Sequence, residues 1–486
     1  MSGEAIRPSR PRRAREIRRW DDEADVLVVG LGIAGACAAM EAADAGAQVL
    51  AVERAGAGGG TSANSGGLIY LGGGTPVQQA CGFDDTPDDL FDFLAAISEP
   101  GADRARIRLF ADGSVEHFHW LEGKGVPFAR SFCDEPGMES PDESCLVFSG
   151  GEDCHPWNRL ARPAPRGHKP RTTGKAGPFL MQCLLGALAR HPVRSLVDAC
   201  VETLVQDDDG RVVGCVARCA GEERTLRARR GLVLAAGGFV SNEAMLALHA
   251  PALLRCNVRN GVAGDDGRGI RMGQGAGGAA LRMDLGEVAL PSTIPNRLSR
   301  GLYVNRHGQR FINEDTYYGH IGVEGLFRQE GRVYLLLDDA TFERGLVGLA
   351  PRWVGDSIEE VERESGLPAG SLVSTVALYN RHAARGEDPL FHKRPERIQP
   401  LETPPFALVD CSTEEAIWAT FTLGGLHTDA EARVLDPDGR VVPGLHAAGR
   451  NAALFCGHGY PGSGISLADG SFFGRRAGRR AARDTG

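Results

Sequence analysis

The stretch DVLVVGLGIAGACAAMEAADAGAQVLAVERA, residues 25–55, predicts a strand, a glycine turn, a helix and a second strand. The pattern Gly30-x-Gly32-x-x-Gly35 directly follows a short β-branched run. The first glycine permits a tight turn, the second lets backbone approach a pyrophosphate, and the third lets the helix pack on the strand. We therefore predict a Rossmann-like α/β unit that binds a dinucleotide.

The second strand of this unit ends on an acidic residue at the spacing that dinucleotide binding requires. Glu53 lies 23 residues after Gly30, within reach of a ribose hydroxyl. The pyrophosphate is expected at the helix N-terminus, where amide donors and the helix dipole favour an anion. Around the turn and the acid, we also expect cofactor contacts from Ile33, Ala34 and Arg54.

The next segment, GGGTSANSGGLIYLGGG at 58–74, decides between nicotinamide and flavin. It combines flexible backbone with small hydroxyl and amide side chains, which suit a loop lying along an extended cofactor. No second glycine fingerprint occurs elsewhere, so we favour a permanently bound FAD over an exchanging nicotinamide. The loop residues expected to contact FAD are Thr61, Ser62, Asn64, Ser65, Gly66 and Gly67.

Composition excludes several other classes of protein. The chain has 486 residues and a net charge of −9, so it is a poor candidate for binding nucleic acid. The sequence contains no run of 18 apolar residues, so we expect no transmembrane segment. The twelve cysteines include no CxxC pair, which favours reduced thiols in a cytoplasmic protein and no metal site.

Changes in sequence character predict the domain organisation. Seven arginines lie in residues 7–19 with no apolar stretch after them, so we expect residues 1–20 to be a disordered basic arm rather than a targeting signal. Glycine turns dominate residues 21–282 and return in 411–486. Fewer turns and more aromatic and charged residues in 283–410 predict a second domain inserted into the first.

Taken together, these and further motifs resemble the fumarate reductase / 3-ketosteroid dehydrogenase flavoprotein superfamily. The resemblance implies FAD and an α/β fold, in which a discontinuous Rossmann-like domain carries an inserted α+β catalytic domain. Further cofactor residues that it implies are Ala236, Gly237, Gly238, Asp266, Gly449, Arg450, Ser466 and Leu467. The matching stretches are VVGLGIAGACAA, TSANSGGLIY, GLVLAAGGF, GDDGRGI, GLYVNRHGQRFINEDTYYG, TLGGLHTD, VPGLHAAG and YPGSGISLADGSFFGRRAG.

The branches of this superfamily differ at the substrate site. Fumarate reductases place a histidine before a TMGG-like turn and an arginine in the C-terminal glycine turn. Here the two segments read TFTLGG and GHGYPGSG without those cations, which argues against a dicarboxylate substrate. The loop after Glu53 also lacks the histidine that binds FAD covalently in some relatives, so we predict non-covalent FAD. Phe421 and Leu423 are candidates for the substrate pocket.

The motif Tyr-Pro-Gly-x-Gly, with Tyr460 and Gly464, is similar to the 3-ketosteroid dehydrogenase pattern. There a tyrosine hydroxyl and a glycine N–H bind the C3 carbonyl oxygen of the steroid. Two such donors stabilise the enolate that develops when a proton leaves the carbon next to the ketone. The resemblance therefore implies that Tyr460 and Gly464 form a carbonyl clamp.

The proton acceptor is less closely defined. Tyr317 and Tyr318 follow the VNRHGQRFINE element, where the related enzymes carry a functional tyrosine, and Tyr318 is favoured. A tyrosine is a poor base near pH 7 unless a positive charge such as Arg310 lowers its pKa, or a relay carries the proton away. Ser463 is a second relay candidate.

The absence of a tyrosine from one region of the first domain indicates which bond of the steroid is oxidised. Δ1 enzymes use another tyrosine in the first domain, and residues 100–200 contain none, which favours the Δ4-(5α) branch. The expected reaction desaturates C4–C5 of a 3-ketosteroid or related cyclic ketone and passes electrons to an external acceptor. The alternatives are a Δ1-dehydrogenase, an enone or bile-acid ketosteroid reductase, and a non-catalytic FAD-binding or electron-transfer protein.

Overall fold

The computed structural model describes residues 6–135, 139–345 and 349–484. No helix within those ranges is long and apolar enough to cross a membrane. The helices are α1 (Ile33–Asp44), α2 (Gly60–Asn64), α3 (Pro76–Ala80), α4 (Pro87–Ile97), α5 (Arg104–Gly123), α6 (Gly177–Leu188), α7 (Glu243–His249), α8 (Arg268–Gly275), α9 (Tyr318–Arg328), α10 (Ile358–Ser365), α11 (Ser371–Ala383) and α12 (Ile465–Ala481).

The strands form one large sheet and several small ones. They are β1 (Arg12–Arg13), β2 (Asp22–Val29), β3 (Val49–Val52), β4 (Ile69–Tyr70), β5 (Leu146–Val147), β6 (Gly167–His168), β7 (Val193–Leu196), β8 (Ala199–Gln206), β9 (Val212–Cys219), β10 (Glu222–Leu234), β11 (Val258–Arg259), β12 (Ala280–Leu281), β13 (Gly286–Ala289), β14 (Leu302–Asn305), β15 (Val333–Asp338), β16 (Trp353–Gly355), β17 (Phe406–Asp410), β18 (Ala419–Thr422), β19 (Gly425–Leu426), β20 (Arg433–Leu435) and β21 (Val441–Ala447).

The large sheet carries the predicted Rossmann-like unit. Its order is β1-β8-β9-β10-β2-β3-β7, and β21 adds to β10. Strand β2 pairs in parallel with β3 and with β10. Val26 and Val28 belong to one hydrophobic core, whereas Leu27 and Val29 belong to the core on the other face. Burial on both faces explains why β2 is a continuous apolar run. The predicted α/β class is confirmed.

The C-terminal helix completes this first unit. Helix α12 packs along α1 through small residues, with Gly474 and Gly478 lying against Ala34 and Ala38. Strand β21, which precedes α12, pairs in parallel with β10. Chain segments from both ends of the sequence therefore build one layer around the predicted dinucleotide site.

A second sheet lies within the predicted insertion. Its order is β14-β15-β17-β16, and helices α10 and α11 cover it around a separate hydrophobic core that includes Leu336, Val361 and Leu408. Strand β13 instead pairs with β18, which follows the insertion in sequence. The boundaries at 283 and 410 stay a prediction.

The N-terminal arm is more ordered than its sequence predicted. Residues 1–5 lie outside the described ranges, but Arg12 and Arg13 form a strand that pairs in parallel with β8. Arg12 also forms an ion pair with Glu223. An open sheet edge offers unpaired backbone groups to any neighbouring segment, and acidic side chains on this edge attract the arginines. The expected disorder is therefore wrong for the described part of the arm.

Candidate active site

A cavity of about 650 Å³ runs from the glycine turn of α1 to the glycine turn before α12. It brings together most of the residues predicted from the sequence. On its wall lie Gly30, Gly32, Ile33, Ala34, Glu53, Arg54, Thr61, Ser62, Asn64, Ser65, Gly66, Gly67, Ala236, Gly237, Asp266, Phe421, Gly449, Arg450, Ser466 and Leu467, with Tyr317, Tyr318, Tyr460, Ser463 and Gly464.

Three predicted residues do not line this cavity. Gly35 packs against the turn so closely that a Cβ there would lie 1.8 Å from the carbonyl oxygen of Gly30. Gly238 donates its N–H to Asp265 at 3.1 Å. Leu423 is buried in the hydrophobic core. Strand β18 ends at Thr422, so the alternation that points Phe421 into the cavity does not extend to Leu423. The structure thus corrects the placement of Leu423.

The acid at the end of β3 holds the glycine turn. Glu53 accepts a hydrogen bond from the N–H of Leu31 at 2.7 Å and another from the N–H of Ala55 at 2.9 Å. Ser62 accepts from the N–H of Ile33 at 3.1 Å, which ties the 58–74 loop to the start of α1. The turn, the acid and the loop therefore form one pre-shaped wall of the cavity.

A buried aspartate joins three parts of this wall. Asp265 accepts from the hydroxyl of Thr61 at 2.6 Å and pairs with the Arg450 guanidinium at 2.7 Å. It also accepts from the N–H of Gly238. The cofactor contact predicted from the sequence was the neighbouring Asp266, which pairs with Arg54 nearer the surface. Asp265 is the first acid of GDDGRGI, and that position was the signal available in the sequence.

Unused donors on this wall suit a ligand rich in acceptor atoms. Nη1 of Arg450 is buried and has no hydrogen-bond partner among the described residues. The Arg450 guanidinium also lies 5.5 Å from the ring centroid of Phe421. Because a buried unpaired donor is costly, an acceptor supplied by a bound cofactor would compensate it. The wall therefore fits a dinucleotide carrying phosphate and carbonyl oxygens.

The other end of the cavity carries the predicted clamp. Gly464 is the N-cap of α12 with φ +101°, and a Cβ there would lie 2.8 Å from the backbone nitrogen of Tyr70. The hydroxyl oxygen of Tyr460 accepts from the N–H of Ser466 at 3.0 Å. The Tyr460 ring packs edge-on against Phe421, with centroids 5.6 Å apart. These contacts fix the tyrosine on the cavity wall.

A hydroxyl cluster lies beside the clamp. Ser463 Oγ is 2.7 Å from the hydroxyl of Tyr318 and 3.1 Å from that of Tyr317. The two tyrosine rings are in contact, with centroids 4.5 Å apart. All three candidates for proton transfer are therefore joined in one hydrogen-bonded group.

The pKa values of the two tyrosines differ from what the sequence predicted. Arg310 forms buried ion pairs with Glu314 at 2.7 Å and Asp388 at 2.9 Å, so its charge is already neutralised. Burial raises the pKa of Tyr317 and of Tyr318 above their ordinary value. The idea that Arg310 lowers a tyrosine pKa is therefore wrong, because the charge that was to act on the tyrosine is neutralised by two carboxylates.

One further acid on the wall, Glu287, was not predicted from the sequence. Glu287 lies on β13, is 3% exposed, and accepts a long hydrogen bond of 3.4 Å from the Tyr317 hydroxyl. Its only signal in the sequence was an acidic residue inside the apolar run LGEVAL. Its position beside the tyrosines depends on the pairing of β13 with β18.

Comparison with known proteins places this site in a family. The signature of the family described as FAD binding domain matches residues 25–467. The 3-oxo-5-alpha-steroid 4-dehydrogenase of Comamonas testosteroni is 29% identical over 499 residues, covering 89% of this chain and 93% of that protein. The 3-oxosteroid 1-dehydrogenase of Mycolicibacterium smegmatis is 27% identical over 555 residues, covering 93% of this chain and 96% of that protein.

A solved structure resembles the whole chain. The 3-ketosteroid-Δ4-(5α)-dehydrogenase of Rhodococcus jostii, in complex with 4-androstene-3,17-dione, is 46% identical and superposes with a TM-score of 0.94. The match covers 98% of this chain and 100% of that one. The cavity with its glycine turn, acid and unused donors, and these matches across nearly the full length, lead to one conclusion: the chain belongs to the FAD binding domain family of flavoproteins, and its cofactor is FAD.

Proposed function

We propose that this chain is a 3-ketosteroid Δ4-(5α)-dehydrogenase, which introduces the C4–C5 double bond into a saturated 3-ketosteroid. The observation that carries the proposal is the position of Ser463, hydrogen-bonded to Tyr317 and Tyr318 and three residues from Tyr460, at one end of the cofactor cavity. The similarity to the Rhodococcus jostii enzyme supports the same regiochemistry.

Tyr460 and Gly464 hold the C3 carbonyl in this proposal. The Tyr460 oxygen already accepts from Ser466, so its own proton is free for a ligand oxygen in the cavity. Burial raises the pKa of Tyr460 well above its ordinary value, and the hydroxyl therefore stays protonated as a donor. With the N–H of Gly464 as the second donor, the pair stabilises the enolate that forms when C4 loses a proton.

Ser463 takes the proton from C4. Its Oγ can pass its own proton to a tyrosine hydroxyl at 2.7 or 3.1 Å while it accepts the one from carbon. The raised pKa values of the tyrosines mean that they relay the proton rather than remain ionised. When bound, FAD would provide the oxidising chemistry, with the C5 hydrogen leaving the steroid as hydride. The residues that hold FAD are those of the α1 turn, Glu53, the 58–74 loop and the group around Arg450.

Helix α12 contributes to the same end of the site. It begins at Ile465, directly after its N-cap Gly464, and its residues Ser466 and Leu467 lie on the cavity wall. The positive end of its dipole favours negative charge that develops close to the helix start during the reaction. We further propose that the electrons leave to an external acceptor and that the enzyme works in the cytoplasm. The latter is supported by twelve cysteines that are all free thiols.

The direct test is anaerobic mixing of the purified yellow protein with a saturated 5α-3-ketosteroid, followed by flavin absorbance and product identification. We expect bleaching of the flavin and one equivalent of the Δ4-3-ketone. A Δ1 product would instead assign the first alternative. Oxidation of the reduced protein by an enone, without bleaching by the saturated ketone, would assign a reductase. Absence of every redox reaction with cyclic ketones would favour the non-catalytic alternative.

Replacing Gly237 with alanine tests the cofactor wall. The residue has φ +83°, and the new methyl group would lie 2.0 Å from Oδ1 of Asp265. Displacing Asp265 disturbs its bonds to Thr61 and Arg450. We expect FAD affinity to fall about tenfold, equivalent to about 1.4 kcal/mol, as measured by flavin fluorescence released on dialysis.

Gly210 offers a matched control for that substitution. It has the same φ of +83°, but nothing lies within 4 Å of the added Cβ. Gly210→Ala therefore carries the backbone cost without the collision with Asp265. Equal FAD affinity in the two variants would show that Asp265 does not support the cofactor site.

A further inference from the structure

We propose that Glu287 is the terminal acceptor of the C4 proton, which reaches it from Ser463 through Tyr317. This inference rests on the proposed desaturation and names a residue that the reaction needs beyond the clamp and the relay. Ser463 touches the reacting carbon in that scheme. Glu287 acts through Tyr317 and is the place where the proton remains after the chemical step.

The geometry joins the three groups in one line of hydrogen bonds. Ser463 Oγ lies 3.1 Å from the Tyr317 hydroxyl, and that hydroxyl lies 3.4 Å from Oε1 of Glu287. The backbone of Glu287 is held at its carbonyl, which accepts from the Thr420 hydroxyl at 2.6 Å. Pairing of Glu287 with Phe421 in the β13–β18 register fixes the carboxyl beside the cavity.

The surroundings of Glu287 leave its carboxyl free to exchange a proton. The titratable groups that face it are Tyr317, Tyr318, Tyr460 and Cys256, none of which is a cation. Among the described residues Glu287 has no ion pair. Burial accordingly raises its pKa to about 8, within the range in which an enzyme works.

Two other acids of the wall are engaged differently. Asp265 pairs with Arg450, and Glu53 accepts from two backbone N–H groups. These bonds hold each carboxylate in one place. Glu287 combines a hydrogen bond from Tyr317 with, among the described residues, the absence of an ion pair to a cation.

The step balances without a further reactant. The C4–H bond breaks, and its electron pair forms the C4–C5 double bond as the C5 hydrogen leaves with its own pair to FAD. The C4 proton binds Ser463 Oγ, the former serine proton binds Tyr317, and the former Tyr317 proton binds the Glu287 carboxylate. Serine and tyrosine end neutral, and one carboxylate has become a carboxylic acid.

A competing exit for the proton lies on the far side of the tyrosines. A second cavity of about 30 Å³ touches Tyr317 and Tyr318 and is also lined by Asp153, Asp315 and Arg394. Asp315 and Asp153 both form ion pairs with Arg394, whereas Glu287, among the described residues, does not pair with a cation. Proton release by this route would make the reaction indifferent to Glu287.

The test is Glu287→Gln, whose amide keeps the size of the side chain and an acceptor for Tyr317 but binds no proton. For the wild type we expect single-turnover flavin reduction by a 5α-3-ketosteroid to rise with pH, with an apparent pKa near 8. In the variant we expect that rise to disappear and the rate above about pH 8 to fall at least about tenfold. Glu324→Gln on α9 is the matched control, since burial also raises the pKa of Glu324 outside the cavity.

Thermal unfolding supplies a readout that does not depend on turnover. An acid whose folded pKa is about 8 against an ordinary value of 4.5 stays protonated in the fold after it ionises in the unfolded chain. Glu287 therefore lowers the stability of the wild type as pH rises from 4.5 to about 8, and this contribution is absent from Glu287→Gln. Other buried acids with raised pKa values, such as Glu152 and Asp469, contribute to both proteins. We expect the Tm of the variant relative to wild type to increase over that interval.

Failure of the proposed function can be distinguished from failure of the role of Glu287. A wild type that desaturates no 5α-3-ketosteroid at any pH contradicts the proposed function. A wild type that does so, with the same pH profile and rate in Glu287→Gln, overturns the role of Glu287 and favours the exit beside Asp315. A Tm difference that does not change with pH also overturns it.

Discussion

Replacing Tyr460 with phenylalanine is expected to slow steroid desaturation about 10²–10³-fold while leaving FAD bound, because one of two donors to the developing enolate is lost. The ring of Tyr460 still packs against Phe421, so the fold around the cavity is retained. The measurement is the rate of flavin reduction at saturating steroid, together with the flavin content of the purified variant.

Tyr379→Phe is the matched control for this prediction. Tyr379 is also buried and its oxygen accepts from the N–H of Gln399 at 3.3 Å, but it belongs to the core around α10 and α11. The same loss of a hydroxyl there should leave the reduction rate near that of the wild type. Similar rates in the Tyr460 variant and this control would refute the carbonyl clamp.

Replacing Ser463 with alanine is expected to slow the chemical step about 10²–10⁴-fold, the range for loss of a positioned acid or base. The hydroxyl joins Tyr317 and Tyr318, and without it neither tyrosine is connected to C4 through a bonded group. The relevant measurements are single-turnover flavin reduction and exchange of the C4 hydrogen with deuterium in the solvent. Both should fall together, while steroid binding is retained.

Ser471→Ala provides the comparison on the same C-terminal segment. Ser471 is buried in α12, where its hydroxyl donates to the carbonyl of Leu467 at 2.7 Å and contacts His117. Its loss tests general damage to the helix without touching the cavity. If Ser463→Ala retained rapid C4 exchange, the proton would have to leave carbon by a group other than this serine.

Backbone-defined features were predictable from the sequence. The turn at Gly30, the acid Glu53 and the positive-φ start of α12 at Gly464 each depend on a few consecutive residues. Their steric requirements exclude most side chains, so the pattern itself carries the information. The candidates Tyr460, Ser463, Tyr317 and Tyr318 came instead from the resemblance to the 3-ketosteroid dehydrogenases, and all four line the cavity.

The interactions between distant segments were decided by the tertiary structure. Tyr318 and Ser463 are 145 positions apart, and their contact requires α9 to pack beside the turn before α12. Neutralisation of Arg310 by Asp388, the role of Asp265 and the pairing of β1 with the sheet edge likewise join remote parts of the chain. Local sequence determines backbone geometry through sterics, whereas the partner, burial and pKa of a side chain such as Glu287 depend on which surfaces pack together.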